Sequence, residues 1–350
     1  MQSKFFKSYR QILTILRGRG VKIGKGSQGS RVIKILEKEN YYNVVNGYKT
    51  LFIQTPATAT SEEVYKEGVT FNELYALYNF DRELRIIYLK YLLKIENHFK
   101  TVVSHTFSKK YGHDNYLKLE NFYCGPSRER YVLERIASQN KLNINNDKQK
   151  IERLSAEEKV SNVTRLIGGI QQEIARQLNK HNEMVSHYMT VHGYIPLWAL
   201  VNVLTFGKVT TFYLNMKEQD KIEVAKQFGV QYKELHKYMD MLGFARNKCA
   251  HDERFYDIRF KKYLHTKSIP NFLELNLPRD ESGTYIKGTA DAYAMAIIFK
   301  RILSKQDFKE FKSSMEALIK KLSKQLNSIQ ASDVLNTMGY TAQWRNITKL

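Results

Sequence analysis

The chain has 350 residues, 43% of them hydrophobic and 12% aromatic, a composition that excludes a disordered protein and predicts a sizeable core. Its formal charge of +21, spread along the chain, favours a polyanionic partner, nucleic acid above all, with solubility in a lysine-rich proteome as the alternative explanation. Two cysteines and no long apolar stretch predict a cytoplasmic protein with no metal, no cofactor and no membrane partner.

The first fifty residues are predicted to form two helices joined by a turn rich in glycine and lysine. The helices are expected over Tyr9–Leu16 and Arg31–Glu39, and the turn reads RGRGVKIGKGSQGS. Gly24–Gly29 spells G-x-G-x-x-G, but no strand precedes it, and Lys49 stands where a dinucleotide site has an acid. The turn is therefore interpreted as a solvent-exposed connection, with a basic loop that contacts phosphates as the alternative.

The segment Phe71–Tyr111 carries the longest run of apolar residues at helical spacing. It predicts one long helix, or two helices broken near Asn79 and Phe80. Glu96 and Lys100 lie four residues apart on this segment and are expected to form an ion pair.

The rest of the chain is predicted to be helical with loop-rich insertions. Residues 121–160 are mixed and polar, and KLNINNDKQK within them is interpreted as a loop. The stretch DERFYDIRFKKYLHTKSIPNFLELNLPRDESGTYI is a loop-rich excursion. A helix is expected over Asn162–His187, with an interruption at Gly168 and Gly169, and another over the apolar Ile195–Gly207, with Pro196 in its first turn. The last helix is expected after a capping Ser332 and Asp333. The remaining helices are expected over Lys217–Phe228, Gln231–Asn247, Ala290–Leu303 and Gln306–Leu326.

The predicted fold class is therefore mostly α, a single helical-bundle unit with helical and loop insertions. No internal repeat, low-complexity tract or shift in composition marks a second domain. Within residues 1–350 we expect basic N-terminal helices with the glycine-lysine loop at 1–60, a helical core at 71–265 and a C-terminal helical extension at 266–350.

A short motif near the end of a predicted helix has the chemistry of a phosphodiester site. In GFARNKCAHDERFYD, Asn247 and His251 are four residues apart and share a helix face, and the long side chain of Arg246 reaches the same point. A guanidinium can hold two phosphate oxygens, an imidazole can transfer a proton near neutral pH, and an amide can orient either group. Asp252 and Glu253 are interpreted as solvated acids, with orientation of His251 as the alternative; beside a phosphate they would repel substrate.

Several segments, in this order, resemble the Abi family of bacterial abortive-infection proteins, in particular its AbiD/AbiF-like group. They are RGRGVKI, NYYNVVNGYKTLF, FNELYALYNFDRELRIIYLKYLLKIENHFKTVVSHTFSKKYG, IPLWALVNVLTFGKVTTFYLNM, GFARNKCAHDERFYD and MGYTAQW, and together they cover nearly the whole chain. The resemblance implies the HEPN superfamily, whose members are helical bundles that often dimerise and often act as metal-independent ribonucleases. Its Arg, polar neighbour and His fall on Arg246, Asn247 and His251. An early Glu-x-x-x-Arg of relatives is matched by Glu96 and Lys100, and the lysine keeps the charge but loses the bidentate fork.

Cleavage of RNA without a metal is the leading hypothesis. The 2′-hydroxyl of the substrate would attack the adjacent phosphate, which requires a base, an acid and positive charge on the phosphate. One histidine cannot be acid and base at the same instant, so we expect a homodimer that brings two copies of Arg246 and His251 to one cleft. The catalytic residues are then Arg246, Asn247 and His251.

Two other functions fit the same sequence. The first is a non-catalytic RNA-binding protein in a ribonucleoprotein, because the AbiF-like branch is associated with small structured non-coding RNAs, one of which would act as an antitoxin. The second is a protein–protein scaffold in which Arg246 and His251 brace a helix. Contacts to RNA are expected from the basic residues Arg17, Arg19, Lys22, Lys25, Arg31, Lys100 and Arg254.

Overall fold

The computed structural model describes residues 5–350, and over these residues the fold is mostly α-helical, as the sequence predicts. Two short strands, β1 (Ile53–Thr55) and β2 (Val64–Tyr65), pair antiparallel. One-turn π-helices occupy Tyr42–Asn46 and Tyr188–His192. The α-helices are α1 (Tyr9–Gly18), α2 (Ser27–Lys38), α3 (Phe71–Tyr111), α4 (Arg130–Gln139), α5 (Lys148–Asn179), α6 (Glu183–His187), α7 (Leu197–Leu200), α8 (Phe206–Asn215), α9 (Glu218–Lys226), α10 (Tyr232–Ala250), α11 (Ala292–Ile302), α12 (Lys305–Ser323) and α13 (Ala331–Thr337).

The long helix α3 is continuous, so a break near Asn79 and Phe80 is wrong. Its start is capped by Thr70, whose hydroxyl accepts the Glu73 N–H at 3.3 Å while the Glu73 carboxylate accepts the Thr70 N–H at 3.0 Å. Phe80 itself is buried. This cap and the buried apolar stripe outweigh the weak helix propensity of Asn79.

The helix α5 passes through Gly168 and Gly169, so the predicted interruption is wrong. Each glycine costs a helix about 1 kcal/mol relative to alanine. Apolar side chains buried along the helix, from Ile151 to Ile174, offset that cost. The helix also begins at Lys148, inside the segment that the sequence assigned to a loop.

The apolar segment Ile195–Gly207 is not one helix. α7 covers a single turn after Pro196, and α8 starts anew after Thr205, whose hydroxyl accepts the Lys208 N–H at 3.2 Å. A capping residue inside the apolar run therefore divides it. The last helix also starts earlier than predicted, because Gln330 is its cap and the Asp333 carboxylate accepts the Gln330 N–H at 2.9 Å.

Contacts within the chain group into two compact units. The first unit comprises the residues up to Leu92 together with Phe244–Leu350, and the second comprises Leu93–Gly243. The boundaries fall within α3 and α10. The single domain expected over 1–350 stays a prediction, and so does its division into the segments 1–60, 71–265 and 266–350.

Aromatic side chains form the core of each unit. In the first unit, the ring of Tyr88 lies 4.9 Å from Phe255 and 5.2 Å from Phe311, and its hydroxyl bonds to that of Tyr340 at 2.6 Å. The fully buried start of α11 packs in this core. In the second unit, Phe107 and Phe212 lie 4.9 Å apart between ring centres.

Candidate functional site

The motif lies at the C-terminal end of α10, in the first unit. The helix ends one residue before His251, whose N–H donates to the Asn247 carbonyl at 3.0 Å, and the Glu253 N–H donates to the Lys248 carbonyl at 3.1 Å. Asp252 has φ of +55°, the left-handed conformation that closes such a Schellman cap. Glycine is usual at that position, and aspartate tolerates it better than most residues. The motif therefore sits on a hydrogen-bonded turn of defined geometry.

The three predicted catalytic residues all lie on this turn. Asn247 and His251 are exposed, and Arg246 is half-buried. Arg246 and Lys248 place positive charge at the negative end of the helix dipole, where cations are favoured. An exposed imidazole one turn from an amide, with a guanidinium on the same helix end, can bind an anion and transfer a proton.

Cys249 lies inside the motif but has no reactive thiol. Burial raises the pKa of this thiol to about 12, so it stays protonated near neutral pH. Across residues 5–350, no three His, Cys, Asp or Glu side chains are grouped so as to hold a metal ion. Over the same residues, no helix combines the length and the apolar character needed to cross a membrane.

The two acids after the motif each have a cationic partner. Arg85 donates to the Asp252 carboxylate and, at 3.2 Å, to the main-chain carbonyl of Glu253. The Lys248 ammonium lies 2.6 Å from the Glu253 carboxylate and holds the pKa of that acid below its usual range. In the described part of the chain neither carboxylate bonds to His251. Their negative charge is thus compensated locally, which weakens the repulsion of a phosphate that the sequence suggested.

A buried acid on α3 fixes the chain that follows the motif. The fully buried Asp81 carboxylate accepts hydrogen bonds from Arg85 at 2.7 Å and from the Tyr48 hydroxyl at 2.6 Å. It also accepts the N–H groups of Phe255 and Tyr256, at 3.0 and 2.6 Å. A buried carboxylate is stable only when its charge and lone pairs are satisfied. Because two of its four donors are main-chain groups just after the motif, Asp81 holds that segment against α3.

Sequence reasoning missed Asp81 and Arg85, although the signal was present as an acid four residues before an arginine. It assigned that pattern to Glu96 and Lys100 instead. This second pair forms the expected ion pair at 2.8 Å, but within the second unit. Asp81 and Arg85 lie in the first unit with the motif, and Arg85 supplies the forked guanidinium that Lys100 lacks.

Three of the basic residues expected to contact RNA make intramolecular bonds in the first unit. Arg17 donates to two main-chain carbonyls of the glycine-lysine loop, both at 3.0 Å. Arg19 forms ion pairs with two glutamates at 3.2 and 2.9 Å. Arg254 forms one with Asp257 at 2.7 Å. These guanidiniums therefore have structural roles within the first unit.

The other basic residues differ in exposure. The side chains of Lys22, Lys25 and Arg31 are exposed. Lys100 is mostly buried beside its glutamate, with 13% of its side chain exposed. The helix α2 begins at Ser27, four residues earlier than expected, so half of the G-x-G-x-x-G pattern is helical. Lys22, Lys25 and Arg31 therefore contribute to the exposed basic surface of this region.

A family model described as Abi-like protein matches residues 34–257, which is more than half of the chain. The matched segment includes the Asp81–Arg85 pair and the whole motif from Arg246 to His251. No curated protein and no solved structure matches the chain.

Proposed function

The chain belongs to the Abi-like protein family, and on this basis we propose that it is an abortive-infection protein that cleaves RNA without a metal, in the manner of HEPN ribonucleases. The observation that carries the proposal is the last turn of α10. It presents an exposed His251 one turn after Asn247, with the half-buried Arg246 on the same helix end, and the acids that follow are paired with cations. An exposed proton-transfer group and a guanidinium on one helix end suit an anionic substrate.

In the proposed reaction the 2′-hydroxyl of the RNA attacks the adjacent phosphorus. A histidine removes the hydroxyl proton as the new phosphorus–oxygen bond forms, and a second histidine protonates the departing 5′-oxygen as the old bond breaks. Arg246 binds the non-bridging oxygens and stabilises the charge that develops on them. Asn247 orients the phosphate or the imidazole. The products are a 2′,3′-cyclic phosphate and a 5′-hydroxyl.

This chemistry needs two histidines, and we therefore propose a homodimer with two copies of His251 at one cleft. The self-association is expected to be two-fold, the commonest symmetry of soluble homo-oligomers. Sedimentation equilibrium measures the mass directly. A monomer at concentrations where RNA is cleaved at full specific activity contradicts the dimeric site.

The test of the ribonuclease is cleavage of transfer RNA and total RNA by the purified protein in EDTA. Wild type is expected to cleave, and Arg246→Ala and His251→Ala are expected to lose at least about a hundredfold in rate, the usual contribution of a group that stabilises developing charge and of a positioned acid or base. His265→Ala, an exposed histidine of the same unit, is the matched control and should retain the wild-type rate. Absence of cleavage by wild type, or equal rates for His251→Ala, contradicts the proposal.

A non-catalytic ribonucleoprotein is the second candidate. The formal charge of +21 and the exposed Lys22, Lys25 and Arg31 support it, because a folded RNA is bound largely through its backbone and shape. In this case a discrete RNA co-purifies with the protein from its native host. The same RNA would inhibit cleavage if it acts as an antitoxin, so the two functions are compatible. Protein that is free of RNA when purified from its host contradicts this candidate.

A further inference from the structure

A row of five rings, four of them exposed and one half-buried, lies in the second unit, far from the motif in sequence. It consists of His187, His192, Tyr194, His113 and Trp198, and we call it the aromatic row. The distances between successive ring centres are 5.5, 6.2, 4.8 and 6.3 Å. The exposed fraction of Trp198 is 51%, although indole rings are usually mostly buried. A contiguous set of exposed rings is characteristic of a binding surface.

The local backbone brings the first two rings together. In an α-helix, residues five apart are offset by about 140° and lie on different faces. Residues Tyr188–His192 instead form a π-helical turn, in which residues five apart are hydrogen-bonding neighbours, and this turn brings His187 and His192 into ring contact. Gly193 follows with φ of +76°, which redirects the chain so that Tyr194 continues the row. Such π-turns frequently occur at functional sites.

The other end of the row stands on buried structure. The main-chain carbonyl of His113 accepts the Leu197 N–H at 2.9 Å, and the buried Tyr116 hydroxyl donates to the Ile195 carbonyl at 2.8 Å. Ile195 and Leu197 are themselves buried. These anchors hold the segments that carry His113, Tyr194 and Trp198 side by side. The rings are therefore presented on a fixed scaffold, which lowers the entropic cost of binding.

We propose that the aromatic row is a stacking surface for the unpaired bases of an RNA, a proposal that rests on the RNA-directed function above and names the part of the RNA that the second unit binds. Tyrosine, tryptophan and histidine rings all stack on nucleobases, and single-stranded segments are the ones whose bases are free to do so. Lys109, four residues before His113, lies 3.9 Å from the Glu223 carboxylate, and its side chain is 69% exposed, so that its ammonium can also contact the strand's phosphates. Three of the five rings are imidazoles, which are more polar than the side chains at the centre of an apolar protein interface.

Fluorescence of Trp198 tests the proposal directly, because the only other tryptophan, Trp344, is 4% exposed. A short 2′-O-methyl oligoadenosine is the probe, since it cannot be cleaved through its 2′-oxygen, and EDTA excludes a metal bound by the paired imidazoles. Saturable quenching of Trp198 is expected. A blunt RNA duplex should quench much less, because its bases are already stacked. No quenching at concentrations that bind the labelled oligonucleotide overturns the proposal.

Variants measured by anisotropy of the labelled oligonucleotide complete the test. Trp198→Ala and His192→Ala are each expected to raise the Kd about fivefold or more, the effect of losing one stacked ring. Trp198→Phe keeps a ring and should bind within about twofold of wild type. Tyr131→Ala removes an exposed ring of the same unit outside the row and is the matched control. Unchanged Kd values for Trp198→Ala and His192→Ala overturn the proposal. They do so even if the two variants have lost the binding of a protein partner.

These experiments distinguish a failure of the aromatic row from a failure of the proposed ribonuclease activity. If wild type cleaves RNA and the row variants bind as well as wild type, the row fails and the ribonuclease stands. If the oligonucleotide quenches Trp198 but no RNA is cleaved, the ribonuclease fails and the row stands.

Discussion

Replacing the buried Asp81 by alanine is expected to destabilise the first unit by about 3–5 kcal/mol, the usual cost of removing one partner of a buried ion pair. The change removes the buried counter-charge of Arg85, of whose side chain only 4% is exposed. It also leaves the N–H groups of Phe255 and Tyr256 without their acceptor, at about 1–3 kcal/mol for each that stays buried. Arg85 retains Asp252, which keeps the loss within this range.

Urea unfolding followed by tryptophan fluorescence measures this loss. In a Trp198→Phe background the signal comes from Trp344 alone, which lies in the first unit. Lys349→Ala, which removes an exposed ion pair of the same unit, is the matched control and should cost at most about 0.5 kcal/mol. A loss for Asp81→Ala below about 1 kcal/mol, or one equal to that of the control, refutes the reasoning.

Three further predictions concern stability. Asp252→Ala should unfold the first unit more readily than Asp252→Gly by about 1 kcal/mol in the same urea assay, because glycine adopts φ of +55° without a Cβ penalty; equal stability of the two contradicts this. Gly339→Ala should be destabilising, because φ is +86° there and a Cβ would overlap the Asp291 carboxylate. Gly168→Ala, which adds a Cβ in open space on α5, should instead stabilise the protein by up to about 1 kcal/mol. Thermal melts in which both variants shift in the same direction refute the assignment. For Glu73, burial raises the pKa of the carboxyl, but N–H donors of residues 327, 328 and 70 outweigh this effect and lower that pKa below 4.5. The ionised Glu73 therefore stabilises the fold above pH 4.5, and this stabilisation is lost as the pH falls through the lowered pKa. Glu73→Gln should therefore be less stable than wild type near neutral pH and lose less stability on acidification, and parallel pH curves contradict this.

The helical fold could be predicted from the spacing of apolar residues, because a buried helix face leaves a period that the sequence records directly. The bounds predicted for this segment, Phe71–Tyr111, are those of α3. The apolar run Ile195–Gly207 shows where the signal fails. A turn between two buried helices is as apolar as a helix, and only the hydroxyl of Thr205, acting as a cap, distinguishes them.

The motif could be found in the sequence because Arg246, Asn247 and His251 are adjacent, whereas its support could not. Asp81 and Phe255 are 174 residues apart in the chain and meet only through folding. Two acid-x-x-x-base pairs on α3 have the same spacing, and periodicity does not say which one faces the motif. The aromatic row was not predicted from the sequence for a related reason. Its π-turn brings residues five apart together, whereas an α-helix places residues at that spacing on different faces.

The chemistry of the RNA ends tests the central claim most directly. Wild-type protein incubated with RNA in EDTA is expected to leave 2′,3′-cyclic phosphates and 5′-hydroxyls, and a substrate with a single 2′-deoxy nucleotide at the cleaved position should stay intact. His251→Ala should give neither product, while His265→Ala should give both. Products that carry 3′-hydroxyl ends, cleavage that EDTA abolishes, or cleavage of the 2′-deoxy substrate would contradict catalysis by Arg246 and His251 through the 2′-hydroxyl.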